Sequence, residues 1–387
     1  YGAAGLVPAG APLVGVTFHA DNVRLRDFDH LDTLVRALES QGIGAVPVYG
    51  WPLSELEPYL TVAGSSPLRM ILALNLTIPR QDDVRVLEQL RVRVLNLLVT
   101  RESQREWADG AKGLPPDRIS PYLNVPERAG ATEPILMAAS ASDSAVALRP
   151  VTERVDAIVG RVKRWIALQD LPNAYKRVAI LYYNNPPGRG NLGASYLRIF
   201  PTIVKVLERM RDEGYATGDS LPDERQLTEL LEKGGRNVEL WAPGELDALV
   251  RDGRATLVPF DTYRRWFAEL PQPFRDSVVR EWGPPEQARL MAYTAPSGQR
   301  FFVVPGVRLG NVFIGPQPLR TTFERALDTT HDRERPVPHA YVAAYLWYRH
   351  TFGADAIVHV GRHGTLEWLP GKQVAQSGSD HSEVLLG

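Results

Sequence analysis

The chain has 387 residues, 44% of them hydrophobic, with 44 basic against 45 acidic side chains and a net charge of -1. That balance gives no bulk electrostatic attraction to nucleic acid or anionic lipid. Cysteine is absent, which excludes disulfides, iron–sulfur clusters, thiolate zinc sites and cysteine nucleophiles.

In chain order, PLVGVTF (Pro12–Phe18) reads as a buried strand. LDTLVRALESQG (Leu31–Gly42) reads as a helix, because Leu31, Leu34, Val35 and Leu38 keep helical spacing and Gly42 stops it. AVPVYGW and MILALNL (Met70–Leu76) are further strands, and Val84–Val99 begins as a helix and ends as a strand. Strands alternating with helices at this spacing predict an α/β domain over 1–107 with a mostly parallel sheet. Prolines and glycines over 108–150 predict a loop-rich connecting segment. A second α/β domain is expected over 151–387. It opens on a helix whose apolar face is Val155, Ile158, Val159, Val162, Trp165 and Ile166. The strand RVAILYY (Arg177–Tyr183) follows, then a helix-rich insertion at about 214–298. RFFVVP and GNVFIGPQP are strands, HAYVAAYLWYRHTFG is a helix, and DAIVHV (Asp355–Val360) is a last strand leading into a glycine-rich turn. The expected fold class is α/β and multidomain, with mostly parallel sheets flanked by helices and a ligand cleft at the carboxyl ends of strands.

Two stretches invite chemistry. The first is ILYYNNPPGRGNLGASYL, which contains Gly188-x-Gly190-x-x-Gly193 between a strand and a helix. A dinucleotide fingerprint needs its first glycine at the strand end. Here Asn184-Asn185-Pro186-Pro187 intervene, and the acidic residues further on fall in or just after the next helix. The loop instead offers Asn184, Asn185, Asn191 and Ser195 as neutral hydrogen-bonding groups at a strand's carboxyl end. The second is DAIVHVGRHGTLEWLPGK, in which His359, His363 and Glu367 recur at steps of four. Two imidazoles and a carboxylate suit a borderline metal ion, or proton transfer near neutral pH. Plainer roles stand beside these: His359 as a strand cap, Glu367 paired with Arg362 or Lys372, His350 on a helix surface, His331 and His381 in loops, and Trp347 and Tyr348 in the core. No P-loop, H-E-x-x-H or G-x-S-x-G occurs. No apolar run of about 18 residues predicts a membrane span, and the composition fits a cytoplasmic protein. A start at Tyr1 and an end at EVLLG read as a piece of a longer chain.

Taken together, FGADAIVHVGRHGTLEWLPGK, GNVFIGPQP, REWGPP and ILYYNNPPGRGNLGASYL resemble the large subunit of aerobic cobaltochelatase and its relative, the magnesium-chelatase H subunit. The resemblance implies a central fragment of the tetrapyrrole-binding subunit of a metal chelatase, inactive by itself. Separate AAA+ subunits would hydrolyse ATP, which fits the missing P-loop. Leu366-Glu367-Trp368-Leu369-Pro370-Gly371-Lys372 is similar to the cobalt branch. That implies cobalt as the divalent substrate and hydrogenobyrinic acid a,c-diamide as the macrocycle, in cobalamin biosynthesis. Magnesium- or haem-handling paralogues and a non-catalytic tetrapyrrole carrier or sensor remain alternatives. The resemblance adds Glu281, in Glu281-Trp282-Gly283-Pro284, as a further carboxylate. The expected catalytic residues are Glu281, His363 and Glu367, and the expected metal ligands are His359, His363 and Glu367. Asn184, Asn185, Arg189, Asn191 and Lys372 are expected to read the macrocycle. Asp380 and Ser382 stand where the family commonly has cysteine and proline.

Overall fold

The structure, a computed structural model, describes residues 7–50, 52–74, 76, 81–142, 147–184, 197–238, 240, 242–253, 255–322, 332–361 and 364–387. The chain divides into two compact units, Tyr1–Ala167 with Lys372–Gly378, and Leu168–Gly371 with Ser379–Gly387.

The first unit is built on β1 (Leu13–Phe18), β2 (Gly44–Tyr49), β3 (Leu68–Ala73), β4 (Arg93–Ser103), β5 (Ala131–Ser140) and β6 (Leu148–Pro150). Their order in the sheet is β2-β1-β3-β4-β5-β6. All neighbours are parallel except β6, which runs antiparallel to β5 at the edge. A parallel sheet is covered on both faces. Val14, Val16, Met70, Leu95 and Ile135 pack with Leu34 and Leu38 of the Asp29–Ser40 helix and with Ile158 and Val162 of the Thr152–Asp170 helix. Ile71, Ala73 and Val94 face the opposite way, against Leu56, Leu60 and Leu87. The segment 108–150, expected as a connection, supplies β5 to this sheet. Its flanking prolines and glycines concealed an apolar run, Ile135–Ala139, that is almost wholly buried. A strap from the far end of the chain completes the unit. The Trp107 indole N–H donates to Ala375 O at 2.8 Å, and Gly113 has no room for a side chain because a Cβ would collide with Val374 O.

The second unit has two sheets. β7 (Val178–Tyr182), β12 (Val312–Pro316) and β13 (Ala356–Val360) are mutually parallel, with β11 (Val307–Leu309) antiparallel at the edge, in the order β11-β12-β7-β13. β8 (Ala255–Pro259), β10 (Arg300–Pro305) and β9 (Ala292–Thr294) form a separate antiparallel sheet. RFFVVP therefore joins a hairpin rather than the parallel sheet. β7 is buried on both sides: Val178, Ile180 and Tyr182 meet Ile203, Leu207 and Leu227, while Ala179 and Leu181 meet the large aromatic core. The region 214–298 is mainly helical, with helices Glu224–Gly234, Pro243–Arg251, Phe260–Ala268 and Gln272–Trp282. The observed class is thus mixed α/β, with largely parallel sheets flanked by helices. Among the described residues no helix is long and apolar enough to cross a membrane.

Ile158 is fully buried between helix and sheet. Ile158→Ala removes three carbons and leaves a cavity, so it is expected to destabilise the first unit by about 3 kcal/mol. Urea titration of far-UV ellipticity against the parent chain measures this.

Candidate functional site

Elements from across the second unit converge at the carboxyl ends of its parallel strands. Pro316, Tyr182 and Val360 are in register, so the residues that follow them emerge at one level. Gln317 N donates to Tyr182 O at 2.8 Å. Asn184 Oδ1 accepts from Asn237 N at 3.0 Å, and Asn237 Nδ2 donates to Gln317 O at 2.9 Å. Asn184 is 2% exposed, and this amide bridge ties the ends of β7 and β12 together. The closed space among Tyr183, Asn184, Gln317, Thr321 and Thr365 is about 10 Å³, room for one water molecule.

Behind the strand ends runs the His339–Trp347 helix, buried along its whole length. It is apolar on every face, as an interior helix must be, and its few polar atoms reach specific partners. Tyr345 OH shares a hydrogen bond with His359 Nε2 at 3.1 Å, and Tyr341 OH with Thr365 Oγ1 at 2.7 Å. The two tyrosine rings stack with centroids 5.1 Å apart. Burial pushes the Tyr341 hydroxyl up to about 12 and that of Tyr345 well above its ordinary range, so both keep their protons. Burial lowers the His359 pKa, partly offset by the Glu367 carboxylate, so the imidazole is neutral at pH 7. Its other nitrogen, Nδ1, lies beside Gly364. A Cβ on residue 364 would sit 3.1 Å from His359 Nδ1 and 3.4 Å from Gln317 Nε2, so a glycine there avoids crowding both groups.

The first residue of the same helix holds a second element. His339 Nε2 faces the carbonyl of Gly283 at 2.9 Å, and Nδ1 faces Tyr263 OH at 2.6 Å. A carbonyl only accepts, so Nε2 carries the hydrogen and Nδ1 accepts from the tyrosine. Gly283, at φ +76°, ends the Gln272–Trp282 helix. The Trp282 indole donates to Pro336 O at 2.8 Å, and Glu281 pairs with Arg335 at 3.2 Å. His339 and Tyr345 are six residues apart, or about 9 Å along the helix axis. One buried helix thereby anchors both the Glu281 turn and His359.

Glu367 lies in the short turn Thr365–Trp368, where a carboxylate oxygen accepts from Gly364 N at 3.0 Å and so shapes the loop beside His359. Lys372 belongs to the first unit, where its ammonium donates to Ala108 O at 3.0 Å and lies 5.4 Å from the Trp107 ring centre. Asn185, Arg189, Asn191 and His363 lie outside the described residues, as does the Gly188-x-Gly190-x-x-Gly193 pattern. Among the described residues no group of three or more histidines and carboxylates is placed to hold a metal ion; the expected set includes His363.

Sequence reasoning passed over Tyr341, Tyr345, His339 and Gln317, which look like ordinary core or loop residues in one dimension. His381 was expected in a loop. It opens the His381–Leu386 helix at 4% exposure, with Nε2 3.0 Å from Ser277 Oγ and its ring against Phe274.

The model of the CobN/magnesium chelatase family matches residues 4–387. The chain belongs to this family. It is 29% identical to the aerobic cobaltochelatase subunit CobN of Pseudomonas aeruginosa over 98% of its own length and 30% of that protein's. It is 31% identical to the magnesium-chelatase H subunit of Chlorobaculum parvum, over 71% of this chain and 20% of the relative. In three dimensions it is similar to the catalytic subunit of cobaltochelatase from Mycobacterium tuberculosis, with a TM-score of 0.78 and 26% identity, over 98% of this chain and 33% of the other. The chain thus spans about a third or less of the length of these family members.

Burial and the Arg320 charge hold the His381 imidazole down at about 3, against about 6.5 in an unfolded chain. The unfolded state therefore takes up a proton first as pH falls. Stability from this group is complete above pH 6.5 and is lost from there towards pH 3. Between pH 7.5 and 5.0 the parent chain is expected to lose about 2 kcal/mol more than His381→Gln. Urea midpoints of both proteins at the two pH values measure the difference.

Proposed function

We propose that this chain is the central part of the tetrapyrrole-binding large subunit of an ATP-dependent metal chelatase, cytoplasmic, with separate AAA+ subunits hydrolysing the ATP. Its metal substrate is read as cobalt and its macrocycle as hydrogenobyrinic acid a,c-diamide. The observation that carries the chelatase reading is His359: a neutral imidazole at a strand's carboxyl end, one nitrogen held by Tyr345 and the other beside Gly364, where any Cβ would crowd it. Family membership supports the substrate class. The cobalt assignment rests on Trp368-Leu369 in the Leu-Glu-Trp-Leu-Pro-Gly-Lys stretch. The 31% identity to a magnesium-chelatase relative favours a magnesium-handling paralogue as the second reading.

Insertion of a divalent ion exchanges two inner N–H protons of the macrocycle for one dication, so charge balances when two bases each take a proton. In this reading His359 carries its hydrogen on Nε2 and donates it to Tyr345 OH, which leaves a lone pair on Nδ1 to take one proton. The Glu281 carboxylate is the other base, held by Arg335 until the ring displaces that pairing. His363 and Glu367 join His359 in stripping water from the incoming ion, with Glu367 also shaping the turn. Asn184 sets the strand ends, while Asn185, Arg189 and Asn191 bind the polar edges of the ring. A neutral imidazole suits either task, since a protonated one could neither bind a cation nor accept a proton.

The test uses the full-length subunit with its ATPase partners. Glu281→Gln and His359→Ala are expected to lower insertion about 100-fold or more while leaving macrocycle affinity, read by tryptophan quenching, unchanged. Gly364→Ala places a methyl group about 3.1 Å from His359 Nδ1 and should do the same. Quenching by the corrinoid precursor but not by protoporphyrin supports the cobalt branch, and the reverse preference moves the assignment to magnesium or haem. Tight binding without insertion of any metal by the parent protein would make it a carrier.

A further inference from the structure

Residues 332–335 touch both elements that carry the proposed bases, and they include an exposed cation, Arg333, to which the chelatase reading gives no part. The run lies just before the buried His339–Trp347 helix. Asp332 folds it into a turn. Its Oδ1 accepts from Glu334 N at 2.9 Å and from Arg335 N at 3.3 Å, and its main-chain carbonyl accepts from the buried Arg320 guanidinium. The turn is thereby fixed to the body of the second unit, and its two arginines reach different places. Arg335 pairs with Glu281 at 3.2 Å. The Arg333 guanidinium carbon lies 5.3 Å from the centre of the Trp368 ring.

Trp368 brings that guanidinium next to the candidate site. It closes the Thr365–Trp368 turn, whose Glu367 accepts from Gly364 N at 3.0 Å, and Gly364 lies beside His359 Nδ1. A guanidinium within about 6 Å of an aromatic ring centre is attracted by the ring's quadrupole. Such a contact orients the planar group and leaves N–H donors along its edge for a ligand. The neighbouring arginines are committed elsewhere, Arg335 to Glu281 and Asp332, and Arg320 to the Asp332 carbonyl. Arg333 is exposed, and among the described residues no carboxylate pairs with it. It is a cation held in place by a ring rather than by a counter-charge. Its fork of donors matches a carboxylate, which takes two N–H bonds at once. Glu334 and Glu367 are also exposed, one next to Arg333 in the chain and the other next to Trp368, and they disfavour a doubly charged anion such as phosphate. Hydrogenobyrinic acid a,c-diamide and protoporphyrin both carry carboxylates at the edge of the ring.

We propose that Arg333 binds a peripheral carboxylate of the macrocycle, with Trp368 as the platform that aims it, so that the site selects acidic macrocycles over their neutral esters. This rests on the chelatase reading and adds to it a residue that determines substrate class.

Tryptophan quenching of the full-length subunit tests it, with hydrogenobyrinic acid a,c-diamide, protoporphyrin and the methyl ester of each as probes. Arg333→Met removes the charge and keeps an unbranched apolar side chain. It is expected to weaken binding of the free acids about tenfold or more and to leave the affinity for the esters as in the parent. Arg333→Lys keeps the charge without the fork and should recover part of the loss. Arg333 is exposed, so neither variant removes a core contact. The proposal is overturned, with the chelatase reading intact, if Arg333→Met binds the acids as tightly as the parent, if it weakens acids and esters alike, or if the parent binds the esters as tightly as the acids. A parent subunit that binds neither macrocycle overturns both.

Discussion

A helix buried on every side has to find protein partners for each polar atom it carries, and that constraint organises the second unit. His339–Trp347 lies inside the aromatic core, where an unpaired hydroxyl or imidazole would cost about 1–3 kcal/mol. Its histidine and its two tyrosines resolve this by reaching outward to the end of a helix, a short turn and a strand. His339 takes the carbonyl of Gly283, Tyr341 the Thr365 hydroxyl, and Tyr345 the His359 ring. Each bond satisfies the core and at the same time fixes a residue next to the candidate site. Positioning of the site is thus a by-product of keeping the core free of unsatisfied polar groups.

Burial also decides protonation. His359 and His339 are held below the ordinary histidine value by desolvation, and the buried tyrosines are held above theirs. Each of these buried groups is therefore neutral at pH 7. Neutral groups can be packed close together at little electrostatic cost, and a neutral imidazole keeps the lone pair that either a cation or a proton needs. The charges in this unit sit further out. Glu281 and Arg335 face each other with each side chain about a quarter to a third exposed, so solvent screens the pair and it can exchange partners at modest cost.

Much of the architecture was legible in the sequence. The alternation of apolar strands with amphipathic helices announces the parallel sheet of the first unit, and Val178–Tyr182, Val312–Pro316 and Ala356–Val360 read as strands because they are short, β-branched or apolar runs bounded by turn residues. β5 was hidden, because Pro and Gly on both sides outweighed a five-residue apolar run. Lys372 shows a second limit of a linear reading. It follows Gly371 in the Pro-Gly-Lys stretch, yet the two residues belong to different compact units, and spacing along a chain carries no information about such a division.

By itself the sequence determined the residue types available for chemistry, the absence of thiol chemistry, the strand ends on which Asn184 and His359 lie, and the family to which those motifs point. Local periodicity and backbone preference act over a few residues, so a linear reading reaches that far. Only the tertiary structure decided which neighbours those residues have. Tyr345 beside His359, His339 beside Gly283, and Gly364 beside His359 Nδ1 join positions 5 to 56 residues apart in the chain. Such contacts arise from burial and from hydrogen-bond satisfaction in a packed interior, and those are properties of the assembled fold.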